Sequence, residues 1–376
     1  MRANSSPDVI VIGGGIIGSS IGLRLAQAGA RVSIFDRGEP GREASSAAAG
    51  MIAPLAEGAK PEAFAELCRA SHRLYPDFVA EMEDLSGISA GYHRAGSLLV
   101  ALDDAQEQEL DETEAETRRR GFAVERVDGH GVRRRVPGLG EGIRRGLVLP
   151  RDHWVDNERL TEAVLEAARR LGVTIHAHAT VCGLNARNHR IESVKTDTAA
   201  FSAAEFVLAA GCWSGVVAAS AGLEVTTVPC RGQIVELEAP SDLPMVVRAG
   251  HYYLVPRARR RILVGTTAEY VGFEKAVTAE GLASILSAAL RLAPFLCKLR
   301  FRRAWAGLRP DTADHLPILG RGALENLTLA TGHFRNGILL APVTARLIAD
   351  LVARGTIPPE LEAFRPERFP LEAKAG

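Results

Sequence analysis

The chain has 376 residues with 45 basic and 45 acidic side chains, so its formal net charge is zero, and 47% of it is hydrophobic against 24% charged. That balance excludes a diffusely basic nucleic-acid or lipid-surface binder and excludes intrinsic disorder, leaving a chain able to bury a large core in one large or two ordinary domains. Its 37 glycines, well above the usual ~7%, point to tight turns or to backbone lying close to a ligand.

Residues 8–12, DVIVI, form a continuous β-branched apolar run, the pattern of a strand covered on both faces. It runs straight into glycine. From Gly15 the apolar residues Ile17, Ile21, Leu25 and Ala28 recur at helical spacing until Gly29, and residues 31–36, RVSIFD, predict a second strand. Strand, helix and strand within this length predict that the chain opens with a βαβ unit of an α/β protein. Residues 103–120 predict a solvated helix with acids first and arginines last. A further helix is expected over 157–171, between Asp156 as N-cap and Gly172. Three strand-like runs, VTIHAHATV, RIESVKTD and EFVLAAG, fill 173–211, and residues 226–236, 251–256 and 262–267 predict a second, more antiparallel sheet. The end returns to LTLATG, HFRNGILLAP and a helix over 343–354 closed by Gly355.

VIVIGGGIIGSS sets Gly13, Gly15 and Gly18 in the GxGxxG spacing between strand and helix. The first glycine makes a tight turn, the second admits a pyrophosphate to the backbone at the helix N-terminus, and the third lets helix pack on strand. Asp36, ending the second strand, would accept hydrogen bonds from a ribose and repel a ribose phosphate. The unit therefore predicts dinucleotide binding without choosing FAD from NAD. In GREASSAAAGMIAPLAE, residues 41–57, the seven small residues 44–50 either begin a helix or let a flat ligand lie against backbone. In ATGHFRNGILLAP the amides of 335–338 stand ahead of a helix whose positive end would stabilise charge on a reduced flavin. An ordinary loop into a helix started near Pro342 is the alternative.

The five cysteines Cys68, Cys182, Cys212, Cys230 and Cys297 are widely spaced and form no CxxC pair, so reduced thiols and a cytoplasmic location are expected. No signal peptide, membrane span or nucleic-acid patch is read. His72, His93, His153, His251 and His333 are too scattered to suggest metal ligation, and Arg133 to Arg135 read as a solvated face.

Together with YLVPR and WAGLRPDTADHLPILG (305–320), these stretches resemble, in this order and over nearly the whole chain, the FAD-dependent amino-acid oxidases of the D-amino-acid oxidase superfamily. The resemblance is closest to the glycine oxidases of thiamine biosynthesis. It implies noncovalent FAD held by Gly13, Gly15, Gly18, Asp36, Ser45, Ser46, Gly50, Met51, Val181, Gly337 and Ile338. Arg309 of WAGLRP matches the arginine that binds the substrate carboxylate, Tyr253 of YYLVPR a tyrosine that helps hold it, and Arg335 a position near substrate and flavin. Tyr252 competes with Tyr253 for its match. Ala268 stands where the family often places a bulky residue, implying room for a larger amine. A guanidinium fork binds a carboxylate through two parallel hydrogen bonds and so fixes the α-carbon. From the residues alone, Arg309 has an ion pair with Asp311 or Asp314 as its alternative, and Tyr253 has strand packing.

The expected fold is thus α/β, with a Rossmann-like FAD-binding domain (1–86, 151–222 and 303–376) interleaved with a mixed antiparallel-sheet substrate domain (87–150 and 223–302). The implied reaction is oxidative deamination of glycine, another small amine or a D-amino acid. Hydride passes to the flavin N5 atom without a protein base, the imine is hydrolysed to an oxo acid and ammonia, and oxygen reoxidises the flavin to give hydrogen peroxide. The imine would feed thiazole synthesis. Two alternatives stay open: an amino-acid dehydrogenase passing electrons to a quinone or carrier, and a noncatalytic dinucleotide-binding protein. Relatives are often oligomeric, which leaves a homo-oligomer open too.

Overall fold

The opening strand, Val9–Ile12, is buried at every position because it lies between two parallel neighbours, Val32–Phe35 and Glu205–Leu208. That is why its sequence is continuously apolar rather than alternating. In the computed structural model, which describes residues 6–54, 61–239 and 241–369, these strands belong to a six-stranded sheet. Its order is Ile318–Arg321, Leu327–Thr331, Glu205–Leu208, Val9–Ile12, Val32–Phe35 and Thr174–His176, with only the Ile318–Arg321 edge antiparallel. Helices Ile16–Gln27, Glu62–Ser86, Asn157–Arg170 and Gly337–Arg354 share one apolar core with this sheet.

The second sheet has eight strands in the order Arg300–Asp311, Val228–Glu238, Arg261–Gly265, Tyr252–Arg257, Val246–Ala249, Ser97–Ala101, Arg145–Leu149 and Glu125–Asp128. All its pairings are antiparallel except Val246–Ala249 with Ser97–Ala101. Helix Ala279–Leu292 covers part of one face. The α/β reading and the antiparallel second sheet stand. Two details differ from the expectation. Arg300–Asp311 runs unbroken across residue 303, because it pairs along its whole length with Val228–Glu238, so the strand that carries Arg309 belongs to the eight-stranded sheet. Helix Glu62–Ser86, 25 residues long, was not anticipated.

The last long helix begins at Gly337, not at 343, and Pro342 lies inside it. A proline there removes the amide that would bond to Ile338 O. Tyr75 supplies the missing donor, its hydroxyl lying 3.0 Å from Ile338 O. Ser71 then donates to Leu339 O (2.6 Å) and accepts from the Val343 amide (3.3 Å), splinting the same turn. Both hydroxyls come from helix Glu62–Ser86, so the continuation is a tertiary effect that local sequence does not carry.

Candidate active site

A cleft of about 490 Å3 lies between the two sheets. On the six-stranded side its surface is largely backbone. Gly13 turns with φ +108, and a methyl added there would sit 2.3 Å from Ala209 O. Gly18 lies behind the cleft, where an added methyl would meet Gly13 O at 2.0 Å, so it fixes how closely the first helix approaches the first strand. Asp36 lines the cleft with both oxygens engaged, Oδ2 accepting from the Gly14 amide (2.8 Å) and Oδ1 from the Gly38 amide (2.9 Å). Burial pushes its carboxyl up, and those two amides partly oppose the shift.

The small-residue stretch forms the adjoining wall. It opens as a single helical turn, Ala44–Ala47, and then extends. Residues 55–57 of the quoted motif lie outside the described residues. Ser45 lines the cleft, yet its hydroxyl accepts from the Ile16 amide (2.9 Å) and so caps the first helix. Ser46 turns away: its hydroxyl donates to Glu43 O, and it lines a second cavity instead. Gly50, at φ +70, is pressed against Val155 O, which an added methyl would approach to 2.1 Å. Gly15, Met51, Val181, Gly337 and Ile338 also line the cleft.

The opposite wall is made of side chains on the eight-stranded sheet. Arg309 is half-buried, with Nη2 donating to Thr266 Oγ1 (2.8 Å) and Nη1 to Thr267 O (3.1 Å). Its guanidinium lies over Gly232, where a methyl would stand 2.1 Å from Nη2. Among the described residues no carboxylate pairs with it. Asp311 instead accepts from the Tyr270 hydroxyl (2.6 Å) and contacts His315 (2.7 Å), while Asp314 pairs with Arg368 (2.8 Å). Tyr253 is 7% exposed and lies across Gly265, its cross-strand partner. Burial pushes its phenol pKa up, against the pull of the Arg309 charge. Tyr252 points elsewhere, its hydroxyl 2.7 Å from Ser284 Oγ. Arg335 lines the cleft and is exposed, its guanidinium 5.2 Å from the Phe334 ring centre.

Ala268 is exposed and does not line the cleft, because the chain beyond Gly265 turns to pair Glu269 with Arg231. The argument from its small side chain to a larger amine has no footing in this arrangement. Several lining residues were not singled out from sequence. Arg248, His251 and Thr266 join the side-chain wall, and Arg37 stacks on Trp213 at 3.5 Å at the nucleotide end. His333, buried and 3.2 Å from Thr344 Oγ1, has its pKa pushed down to about 3 by burial. Thr266 carries no mark in the sequence, and only basic or aromatic character, common on any surface, marked the others.

A strand-to-helix turn stripped of side chains, with an acid ending the next strand, is what a dinucleotide needs. Facing an arginine-bearing wall across a cleft of this size, it defines a dinucleotide-dependent oxidoreductase. The FAD dependent oxidoreductase family matches residues 8–351, and the chain belongs to that family. It is 33% identical over 364 residues to a glycine oxidase of Bacillus licheniformis, a match covering 96% of this chain and 97% of that one. It is 37% identical over 371 residues to the bifunctional protein ThiO/ThiG of Trichormus variabilis, covering 97% of this chain but only 56% of that protein, so it spans about half the length of this relative. Among solved structures, glycine oxidase from Geobacillus kaustophilus superposes with a TM-score of 0.92 at 32% identity, covering 96% of this chain and 98% of that one. The cradle fits FAD: a strand-to-helix turn of bare backbone stands beside Asp36, and cations outnumber acids along the cleft.

Proposed function

We propose that this chain oxidises glycine or a comparably small amino acid with noncovalent FAD. The observation that carries the proposal is Arg309, a half-buried guanidinium that faces the cleft, is oriented by Thr266 and Thr267, and has no carboxylate partner among the described residues. Such a fork takes a substrate carboxylate in paired, charge-assisted hydrogen bonds. Tyr253 and Arg335 complete that end, while the FAD would be held by the glycine turn, Asp36, the 44–51 stretch, Val181 and the amides at Gly337 and Ile338. We read the two sheets as the hearts of two interleaved domains that meet at this cleft. Bound FAD supplies a hydride acceptor for the substrate α-carbon.

Among the described residues, no carboxylate lining the cleft is free to take the amine proton. Both carboxylates that line the cleft are engaged: Asp36 by the two amides, and Glu43 by Arg37 and Lys275, each at 2.7 Å. Partial burial and the Arg335 charge lower the pKa of His251, which makes it a weaker base and disfavours its taking up a proton. The amine therefore binds in its neutral form, and turnover rises with pH as the free amine deprotonates. Oxygen as acceptor, with release of peroxide, and a role for the product in thiamine assembly follow the resemblance to glycine oxidases.

The test is to mix the purified protein with excess glycine without oxygen, follow the visible flavin absorption, and then admit air and assay peroxide. Bleaching followed by recovery with stoichiometric peroxide is expected. Bleaching without peroxide would assign a dehydrogenase, and flavin that stays oxidised would remove glycine as substrate.

A further inference from the structure

The 44–50 stretch is a partition. Ala47, Ala49 and Gly50 line the cleft, Ser46 lines a second cavity of about 680 Å3, and Ala48 lines both. Four carbonyls of the partition are taken by side chains distant in sequence. Asn157 Nδ2 donates to Ser45 O (2.8 Å) and Ser46 O (3.0 Å), Trp305 Nε1 to Ala47 O (3.3 Å), and Arg257 Nη2 to Ala49 O (2.7 Å). The Val155 amide takes Gly50 O at 2.9 Å. In a trans peptide the carbonyl and the following amide point in opposite directions. Holding the Ala47, Ala49 and Gly50 carbonyls away from the cleft therefore turns the following amides, of Ala48, Gly50 and Met51, the other way, while the Asn157 contacts to Ser45 O and Ser46 O anchor the helical turn that leads into them.

Arg257 is the unexpected member of this set. It is 8% exposed, and its nearest acids, Asp156 and Glu158, act on it through charge without forming a close ion pair among the described residues. Its remaining contacts are neutral: Nη2 donates to Asn157 Oδ1 (2.6 Å) and Nη1 to Pro256 O (3.2 Å). Burying a cation is expensive, and the carbonyl dipoles with the charges of Asp156 and Glu158 offset it only in part, so burial still pushes the Arg257 pKa down. Neither Arg257 nor Asn157 lines the cleft, while both line the second cavity. The mechanism above uses neither.

We propose that Arg257 and Asn157 form a rear latch, a pair of positioning residues that hold the partition with its amides towards the cofactor, so that FAD affinity depends on two side chains outside the cleft. The latch rests on the reading of the cleft as the FAD site. Asn157→Asp separates it from simple support of the fold. Aspartate keeps an acceptor for Arg257 and supplies a counter-charge in direct contact with it, so a purely structural role expects unchanged stability or a gain, with cofactor binding unaltered. As a latch component it fails, because it has no donor for the Ser45 and Ser46 carbonyls and sets a negative oxygen against them.

FAD release from the holoprotein on dilution, followed by flavin fluorescence, gives the affinity, and the visible circular dichroism of the bound flavin reports its setting. Asn157→Asp is expected to weaken FAD binding by about tenfold, the equivalent of one hydrogen bond at ~1.4 kcal/mol, to alter the dichroism, and to leave the melting temperature of the apoprotein undiminished. Arg257→Met is expected to lose affinity that Arg257→Lys largely restores. If Arg257→Met does not fold, Asn157→Asp carries the test alone. A wild-type protein that binds FAD, beside an Asn157→Asp variant with the same affinity and dichroism, overturns the latch. A wild-type protein that takes up no FAD overturns the cofactor reading and the latch with it.

Discussion

The two walls of the cleft are made of different material. The six-stranded side presents mostly backbone, exposed by glycine and alanine in short consecutive stretches, whereas the eight-stranded side presents side chains gathered from separate strands. A backbone surface is specified by what is left out, and at Gly13 and Gly50 an added methyl collides with the chain itself. A side-chain surface is specified by register, and it tolerates change until the functional group itself moves. Cofactor binding and substrate binding should therefore fail separately.

The sharpest break comes at Gly13. Alanine there would need φ near +108 and would bring Cβ to 2.3 Å from Ala209 O, so Gly13→Ala is expected to purify without flavin. Its FAD Kd should rise on the order of a hundredfold or more, as steric strain of roughly 3 kcal/mol requires. Arg309→Ala should do the reverse. Titration is expected to show FAD retained with near-normal affinity, while kcat/KM for glycine falls on the order of a hundredfold, since losing one partner of a desolvated charge pair costs roughly 2–5 kcal/mol.

Gly232 sharpens the comparison, because it is a glycine on the side-chain wall. Its missing Cβ makes room for Arg309, at 2.1 Å from Nη2, so Gly232→Ala should displace the guanidinium and leave the cradle alone. A rise in KM of roughly tenfold with unchanged FAD affinity is expected, in keeping with ~1.4 kcal/mol per factor of ten. Loss of flavin from this variant would show that the two walls are mechanically coupled.

The walls also differ in how they respond to acid. Burial holds His333, beside the backbone wall, down to about 3 against an ordinary 6.5. Between those values the unfolded chain binds a proton that the folded one refuses. Stability contributed by His333 is thus complete above pH 6.5 and is lost as pH falls, by up to ~1.4 kcal/mol per unit. Next to the other sheet two neighbours oppose each other. His153 is pushed down to about 4 by burial and loses stability in acid, while Asp152 is pushed up to about 6 by burial and gains it. Thermal melts from pH 7 to pH 4 should show a steeper acid loss in Asp152→Asn, which leaves His153 uncompensated, and a shallower one in His333→Gln.

Legibility in the sequence follows the same division. The βαβ unit was readable because everything it needs lies within 36 residues: a doubly covered strand, three spaced glycines and a terminal acid. Gly15, Met51 and Val181 are placed by the same local logic or by resemblance to the family. The substrate wall was not readable in this way. Nothing near residue 309 in the sequence shows that Asp311 turns to Tyr270 and His315, or that Asp314 turns to Arg368, leaving the guanidinium without a carboxylate. Pro342 misplaced a helix start because its remedy, the Tyr75 hydroxyl, lies 263 residues from Ile338. Arg257 stood in plain view within YLVPR, yet its contact with Ala49 spans 208 residues and has no local signature. Ala268 was assigned by alignment to a motif, and the turn after Gly265 takes it out of the cleft.

The six-stranded sheet draws its strands from residues 9–12, 32–35, 174–176, 205–208, 318–321 and 327–331, and the helix whose start lines the cleft begins only at Gly337. As the protein leaves the ribosome, the glycine turn emerges first and waits through some three hundred residues before its sheet can close. Such long-range pairing folds slowly. A message truncated after the βαβ unit but before that last helix yields a chain with the dinucleotide motif intact and an incomplete cleft. Flavin uptake thus reports that synthesis has passed at least through helix Gly337–Arg354.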